Sequence, residues 1–405
     1  MITLFLPHRL AAERWWFAYQ RLAAVLVEPG QELLGAYAAV ARELVRAGHA
    51  DLSSAIAYAL ATGEPPFARP ATQDSVGGLP AGACALLERD LGTLSAAARR
   101  DLRGETSAAT SLDLPGLERL APAASDAAVL TLREALLAAP VAELMTTYLA
   151  GLARHGGGPA AVHGALRWRR GRLEAVRSPA AARLEDLVGL EEQLGRLQAN
   201  TEALLRSSNA HNVLLYGPRG SGKSTAVRGL LTRYQDDGLR LVELPLEELA
   251  DLPELLERLR DSPKAFVLFV DDLSFEEGDV GYRPLRTLLE GGLSGRPRNV
   301  ALYATSNRRH LLKERFGDRP DPLDDDVHRW DTQHEKLALA DRFGLTITFP
   351  DAGQRRYLEL VRELARRQRL EHPALAEAAI RFAEWGNGYS GRTAAQFIAS
   401  LQQGH

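Results

Sequence analysis

A chain of 405 residues with 45% apolar and 25% charged side chains has the composition of a globular protein and enough length for two or three cores. Its formal net charge of −3 leaves no chain-wide attraction for nucleic acid or for an anionic membrane surface. The single cysteine, Cys84, excludes an internal disulfide and fits a reducing compartment. No uncharged apolar run reaches the ~18 residues needed to span a bilayer. Pro7, His8, Arg9, Glu13 and Arg14 interrupt the first apolar residues, so no secretory leader is expected and the expected location is the cytoplasm.

From about residue 10 to 155 apolar side chains recur at three- and four-residue spacing, most clearly over Ala36–Val45, Leu52–Leu60 and Val129–Leu137. That spacing predicts a helical N-terminal domain over 1–160. Glu64-Pro65-Pro66, Val76-Gly77-Gly78-Leu79-Pro80 and Leu114-Pro115-Gly116 mark its loops. Trp15-Trp16-Phe17 is expected to pack in its core, and His155-Gly156-Gly157-Gly158-Pro159 reads as a flexible break. Leu166 to Leu173 alternates and turns at Gly171, which predicts a short hairpin within a linker over 161–183. The arginines around Trp168 are expected to be its solvated face, because a short basic run points only weakly to nucleic acid.

From Leu184 the pattern alternates strand and helix. The strand candidates are Val213–Tyr216, Leu239–Leu244, Phe266–Val270, Val300–Thr305 and Leu345–Phe349, with helical stretches between them. This predicts a mostly parallel sheet with helices on both faces over 184–350. Helical spacing returns over Arg355–Gln368, Ala374–Trp385 and Arg392–Gln402, a helical piece over 351–405.

Chemistry enters at residues 217–224, Gly217-Pro218-Arg219-Gly220-Ser221-Gly222-Lys223-Ser224, a complete G-x-x-x-x-G-K-[ST] loop followed by Thr225. It leaves a β-prone run and opens a helix, the context a polyphosphate-binding loop requires. The three glycines let backbone N–H groups turn inward, and the helix N-terminus adds its unpaired donors. Lys223 is the point charge for the β/γ-phosphates and Ser224 a hydroxyl ligand for Mg²⁺, so ATP and Mg²⁺ are the expected cofactors. Phe266 to Val270 then ends in Asp271-Asp272 at the carboxyl end of a buried strand, where ligand crevices open. Asp271 is the candidate metal ligand and Asp272 the candidate group for polarising an attacking water. A second buried strand ends in Asn307, placed to donate to a γ-phosphate, with Arg308 and Arg309 next. Arg342 precedes the last strand and Arg392 opens the last helix. Guanidinium groups suit γ-phosphate charge because they are planar and permanently charged.

In this order the parts resemble the AAA+ ATPase superfamily over roughly residues 184–402. The implied fold is an α/β P-loop three-layer core with a C-terminal helical lid, joined here to a mainly helical N-terminal domain. The resemblance implies Walker A and Walker B segments, sensor 1 at Asn307, an arginine finger at Arg342 acting on a neighbouring subunit, and sensor 2 at Arg392. Val188-Gly189 is similar to the adenine-side segment of that superfamily. The strings Asp271-Asp272-Leu273-Ser274-Phe275-Glu276 and Ala304-Thr305-Ser306-Asn307-Arg308-Arg309-His310-Leu311 resemble those of a bacterial AAA+ family of unknown function, a likeness that extends back to the Trp168 hairpin.

Two departures shape the functional expectation. The superfamily usually carries Asp-Glu where this chain has Asp271-Asp272, so Glu276 or Glu277 is a reserve for the water-polarising role. The segment after the second strand, Glu243 to Asp251, is acidic and lacks an aromatic, which argues against threading a polypeptide. The expected activity is Mg²⁺-dependent ATP hydrolysis in a homo-oligomer, ring or open, that remodels or loads a protein partner held by the N-terminal domain. The alternative is a slowly hydrolysing switch or recruitment module similar to helicase loaders and transposition regulators. A small-molecule kinase fits less well with the helical lid and the trans arginine. A transporter ATPase would need a Leu-Ser-Gly-Gly signature, which Leu293-Ser294-Gly295-Arg296 does not complete.

Overall fold

The computed structural model describes residues 13–27, 32–63, 79–110, 126–176, 178–273, 283–290, 296–307, 342–351, 353–385 and 388–402. The chain forms two compact units, 1–163 with 261–263, and 164–260 with 264–405.

The regular elements of the first unit's described residues are all helical, the α-helices being α1 Arg14–Val27, α2 Leu33–Ala47, α3 Leu52–Thr62, α4 Ala81–Ala98, α5 Leu102–Thr110, α6 Ala127–Ala138 and α7 Val141–His155. In α2 the buried side chains are Leu33, Ala36, Tyr37, Val40 and Leu44, a single stripe at helical spacing. Gly48 ends that helix at φ 82°, a left-handed position that closes the last turn without a Cβ penalty. Asp51 caps α3 by accepting from the Ser54 N–H at 2.7 Å, and Arg133 of α6 donates to its other oxygen at 3.1 Å. Trp15 and Trp16 are both buried in the core of this unit, meeting edge to face at 6.0 Å, as expected of core aromatics. Phe17, the third of that cluster, is half exposed.

The second unit is built on a seven-stranded sheet. Its strands are β1 Ala165–Arg169, β2 Arg172–Ala175, β3 Val213–Tyr216, β4 Leu239–Glu243, β5 Ala265–Val270, β6 Val300–Ser306 and β7 Leu345–Thr348, in the order β2-β1-β4-β5-β6-β3-β7. All neighbours are parallel except β1 and β2. Every residue of β5 and of β6 is buried, as in parallel strands covered on both faces. Helices α8 Glu191–Leu205, α9 Lys223–Tyr234, α10 Leu252–Arg260 and α11 Arg283–Glu290 connect the strands. Asn200 of α8 clips this layer together: it exchanges hydrogen bonds with the backbone of His211 just before β3 and donates to the buried Tyr303 hydroxyl of β6 at 3.0 Å. After β7 come α12 Gln354–Arg367, α13 Leu375–Trp385 and α14 Gly391–Gln402, packed around Tyr357, Val361, Ala379, Ala394, Phe397 and Ile398.

One expectation is revised. The hairpin assigned to a linker over 161–183 belongs to the sheet, because β1 pairs in parallel with β4 from Ala165↔Leu241 to Arg167↔Glu243. The cause is Trp168, fully buried, whose indole N–H donates to Asp251 at 3.1 Å while the Arg258 guanidinium lies 5.6 Å from its ring centre. Arg170 and Gly171, at φ 49° and 71°, make the two-residue turn, whose positive dihedrals match the strand twist. Among the described residues no helix is long and apolar enough to cross a membrane.

Candidate functional site

The phosphate loop leaves β3 at Tyr216 and enters α9 at Lys223. β3 lies between β6 and β7, so the loop opens at the carboxyl ends of central strands, with Asp271 after β5 and Asn307 after β6 beside it. Gly217, Gly220 and Gly222 stand at φ 155°, 76° and 98°. At Gly217 a Cβ would lie 2.3 Å from the Phe349 carbonyl oxygen, which excludes a side chain, while at Gly222 it would meet a Leu187 methyl at 2.9 Å and the φ of 98° itself strains any residue with a Cβ. The Leu187 contact also brings the Val188-Gly189 segment against the loop. Gly391 and Arg392 of α14 approach from the helical end: a Cβ on Gly391 would sit 3.2 Å from the Gly220 oxygen, and one on Gly220 3.6 Å from the Arg392 Cβ. Ser390 caps α14 by accepting from the Thr393 N–H at 3.0 Å, which sets Arg392 in the first turn.

A single hydrogen-bonded network joins the charged groups. The Lys223 ammonium donates to the Gly217 oxygen at 2.6 Å, to the Pro218 oxygen at 2.8 Å and to the Asn307 Oδ1 at 3.0 Å. Asn307 donates through Nδ2 to Asp272 Oδ1 at 2.7 Å. The Ser224 and Thr305 hydroxyls each donate to Asp271 Oδ1 at 2.6 Å, while Arg228 of α9 lies 3.6 Å from Asp271 Oδ2. Asp272 adopts a left-handed φ of 54°, which aspartate tolerates better than most residues, and its N–H donates to the Thr305 hydroxyl at 2.9 Å.

These residues fit a nucleotide with its metal. The Ser221 hydroxyl, in the middle of the loop, is buried without a hydrogen-bond partner, a polar atom that a bound anion would satisfy. A hydroxyl and a carboxylate in contact, Ser224 and Asp271, are the oxygen donors that Mg²⁺ accepts alongside substrate phosphates. Beyond the loop, Val188 and Gly189 line a cavity of about 440 Å³ with Gly353, Gln354, Arg355, Arg356, Glu359 and Leu360 of and before α12, within the usual range for small-molecule sites. Arg356 donates to the Gly189 oxygen at its wall.

Burial lowers the pKa of Lys223 from the ordinary 10.5; Asp271 and Asp272 raise it part of the way back, and the Arg219 charge adds to the lowering. Anion binding requires the ammonium form. ATP affinity is therefore expected to fall on the alkaline side, beginning below pH 10.5, with proton uptake on binding in that window. Calorimetry in buffers of different ionisation enthalpy measures the uptake. Affinity that stays flat to the ordinary lysine pKa would remove Lys223 from the phosphate contact.

The sequence-derived residues divide into three groups. Gly217 to Thr225, Asp271, Asp272, Asn307 and the backbone of Arg392 converge on one crevice, with Val188 and Gly189 alongside. Arg342 does not converge on it. It precedes Leu345, which pairs with Val213 at the start of β3, whereas the phosphate loop leaves the other end of β3 beyond the Tyr216↔Thr348 pair. Four strand residues, about 13 Å of chain, separate the two ends. Glu276, like Glu277, Arg308 and Arg309, lies outside the described residues. Thr305, Arg228 and Arg356 were not singled out from the sequence. For Thr305 the only signal was its place two residues before Asn307 on a strand already read as ending in the site.

Sheet order, phosphate loop, acid-ended strand and C-terminal helices together define an α/β P-loop fold with a C-terminal helical piece. Within that class the chain belongs to the family described as "Protein of unknown function (DUF815)", whose model matches residues 161–405, more than half of its length. No curated protein matches its sequence. Similar solved structures include the Thermotoga maritima RuvB Holliday junction branch migration motor, with TM-score 0.36 and 18% identity over 53% of this chain and 62% of that one. A DNA replication initiation factor gives TM-score 0.34 and 16% identity over 56% and 65% of the two chains. AMPPCP-bound DnaA from Aquifex aeolicus gives 0.35 and 13% over 53% and 62%. The match thus spans less than two thirds of each of these chains.

Proposed function

We propose that this chain binds ATP with Mg²⁺ and hydrolyses it, and that it does so as a homo-oligomer which remodels or loads a protein partner held by the N-terminal unit. The observation that carries the reading is the Lys223–Asn307–Asp272 relay, which connects the phosphate loop to the acid turn through bonds of 3.0 and 2.7 Å. In that arrangement the loop N–H groups and Lys223 bind and orient the polyphosphate, and Ser224 with Asp271 holds the cation. Bound Mg²⁺ supplies Lewis-acid neutralisation of phosphate charge. Asp272 accepts a proton from the attacking water at its carboxylate, and Asn307 keeps that carboxylate oriented. Arg392, beside Gly220, is assigned to the γ-phosphate of its own chain.

A second reading, a slow ATP-dependent switch, draws support from Asp272 itself. Aspartate is one methylene shorter than glutamate, and one of its oxygens is already engaged by Asn307. Turnover separates the two. For a hydrolase, Asp272→Asn is expected to bind ATP normally and lose most of its turnover. If Glu276→Gln loses turnover and Asp272→Asn keeps it, the water-polarising role passes to Glu276. Wild-type turnover that stays negligible in assembled oligomers favours the switch, and ATP binding absent from the wild type overturns both readings.

A further inference from the structure

We propose that Thr305 is the positioning residue that sets both acids of this site, so that its hydroxyl governs how the chain holds a divalent cation; the proposal rests on the nucleotide-binding reading above. Thr305 is 2% exposed on β6, a strand flanked on both sides by β5 and β3. Its oxygen makes two hydrogen bonds whose directions are determined by their partners. The Asp272 N–H can only donate, so at 2.9 Å the Thr305 oxygen is its acceptor. The one hydroxyl proton is then free for Asp271 Oδ1 at 2.6 Å, where an ionised carboxylate can only accept.

Each bond constrains one acid. Oδ1 of Asp271 carries two hydroxyl donors, from Thr305 and Ser224, while among the described residues Oδ2 meets the Arg228 guanidinium at 3.6 Å. The carboxylate plane is thereby fixed with Oδ2 as its less committed oxygen. The second bond holds the N–H of a residue in the left-handed region, φ 54°, a conformation that side chains with a Cβ seldom adopt. Asp272 keeps that turn because its N–H ends on Thr305 and its carboxylate on Asn307. Strand pairing does not depend on the hydroxyl: the Leu273 N–H bonds the Thr305 backbone oxygen at 2.7 Å. Removing the hydroxyl alone therefore disturbs the acids and leaves the sheet ladder in place. Groups that orient metal ligands from behind typically change metal affinity by about 10–100-fold when lost.

The test compares wild type, Thr305→Val, which keeps the shape and loses both bonds, and Thr305→Ser, which keeps both. ATP affinity is measured by calorimetry without metal and across a Mg²⁺ titration, with turnover recorded alongside. Thr305→Val is expected to bind metal-free ATP within about twofold of wild type, and to need about tenfold or more Mg²⁺ for its half-effect. Thr305→Ser is expected to restore the wild-type Mg²⁺ dependence. A Thr305→Val protein with wild-type Mg²⁺ dependence overturns the proposal, as does a serine variant as impaired as valine; either result assigns Thr305 to packing. Should the valine protein fail to fold, Thr305→Ala, which also loses both bonds, carries the same comparison. The wild-type arm reports separately on the underlying reading: no Mg²⁺-dependent ATP binding there overturns both the nucleotide assignment and the role given to Thr305.

Discussion

Replacing Lys223 by alanine is expected to weaken ATP binding by roughly thirty- to several-thousand-fold, about 2–5 kcal/mol, and to leave the chain folded. The side chain is 6% exposed, and its ammonium is held by two loop carbonyls and by Asn307. It is thus already at the mouth of the loop, oriented by the fold before any ligand arrives. Losing it removes the one buried cation that the structure aims at this crevice from within the loop. Folding is expected to survive because alanine deletes the cost of burying a charge together with the bonds that repay it. The double effect makes the measurement informative: titration calorimetry reports the affinity, and a thermal melt reports the fold. Wild-type affinity in Lys223→Ala would sink the phosphate-loop assignment, whatever the melt shows.

An Arg342→Ala chain is expected to bind ATP normally and to hydrolyse it about 10³–10⁵-fold more slowly, the effect an arginine has on developing γ-phosphate charge in other nucleotide hydrolases. Its position makes the claim specific. Arg342 stands before the amino end of β7, and β7 runs parallel to β3, whose carboxyl end carries the phosphate loop. Within one chain the two groups therefore lie at opposite ends of paired strands, which is why the proposed role for this arginine is toward another chain's nucleotide. Mixing Arg342→Ala chains with Lys223→Ala chains is expected to recover part of the activity, because each Lys223→Ala chain still offers its Arg342 to a neighbour's intact loop. Mixed oligomers, detected by light scattering, that recover nothing would leave Arg342 with a structural role alone. Turnover by a chain that remains monomeric at high concentration with ATP would overturn the trans mechanism.

The residues proposed to bind phosphate were legible because their signal is local. Eight consecutive residues carry the loop, and its glycines are required by backbone dihedrals and close approaches: Gly217 against the Phe349 oxygen, Gly222 against Leu187. Asp271 and Asn307 were legible for a related reason, since each ends an apolar run that must be buried and must therefore emerge at the carboxyl end of a covered strand. The helices of the first unit were visible in their three- and four-residue spacing, as in the buried stripe from Leu33 to Leu44.

What only the tertiary structure decided is how distant pieces meet. A strand buried on both faces has no alternation, so nothing in Phe266–Val270 or Val300–Thr305 names its neighbour or its register. The parallel pairing of β1 with β4, the Thr305 hydroxyl shared between Asp271 and Asp272, and the Asn307 amide spanning Lys223 and Asp272 all depend on sheet order. The left-handed turn at Asp272 follows from that order too, because its N–H finds Thr305 on the adjacent strand. Trp15 and Trp16 make the same point in the helical unit: both are buried while Phe17 beside them is half exposed, since which faces of a helix are covered depends on neighbours that its own spacing does not name. Sequence alone determined the glycine-rich loop, the strand ends and the existence of the helices, because backbone sterics and periodic burial act within a few residues. The order of the strands decided which of those ends became one site, because long-range pairing is selected by the packing of the whole unit.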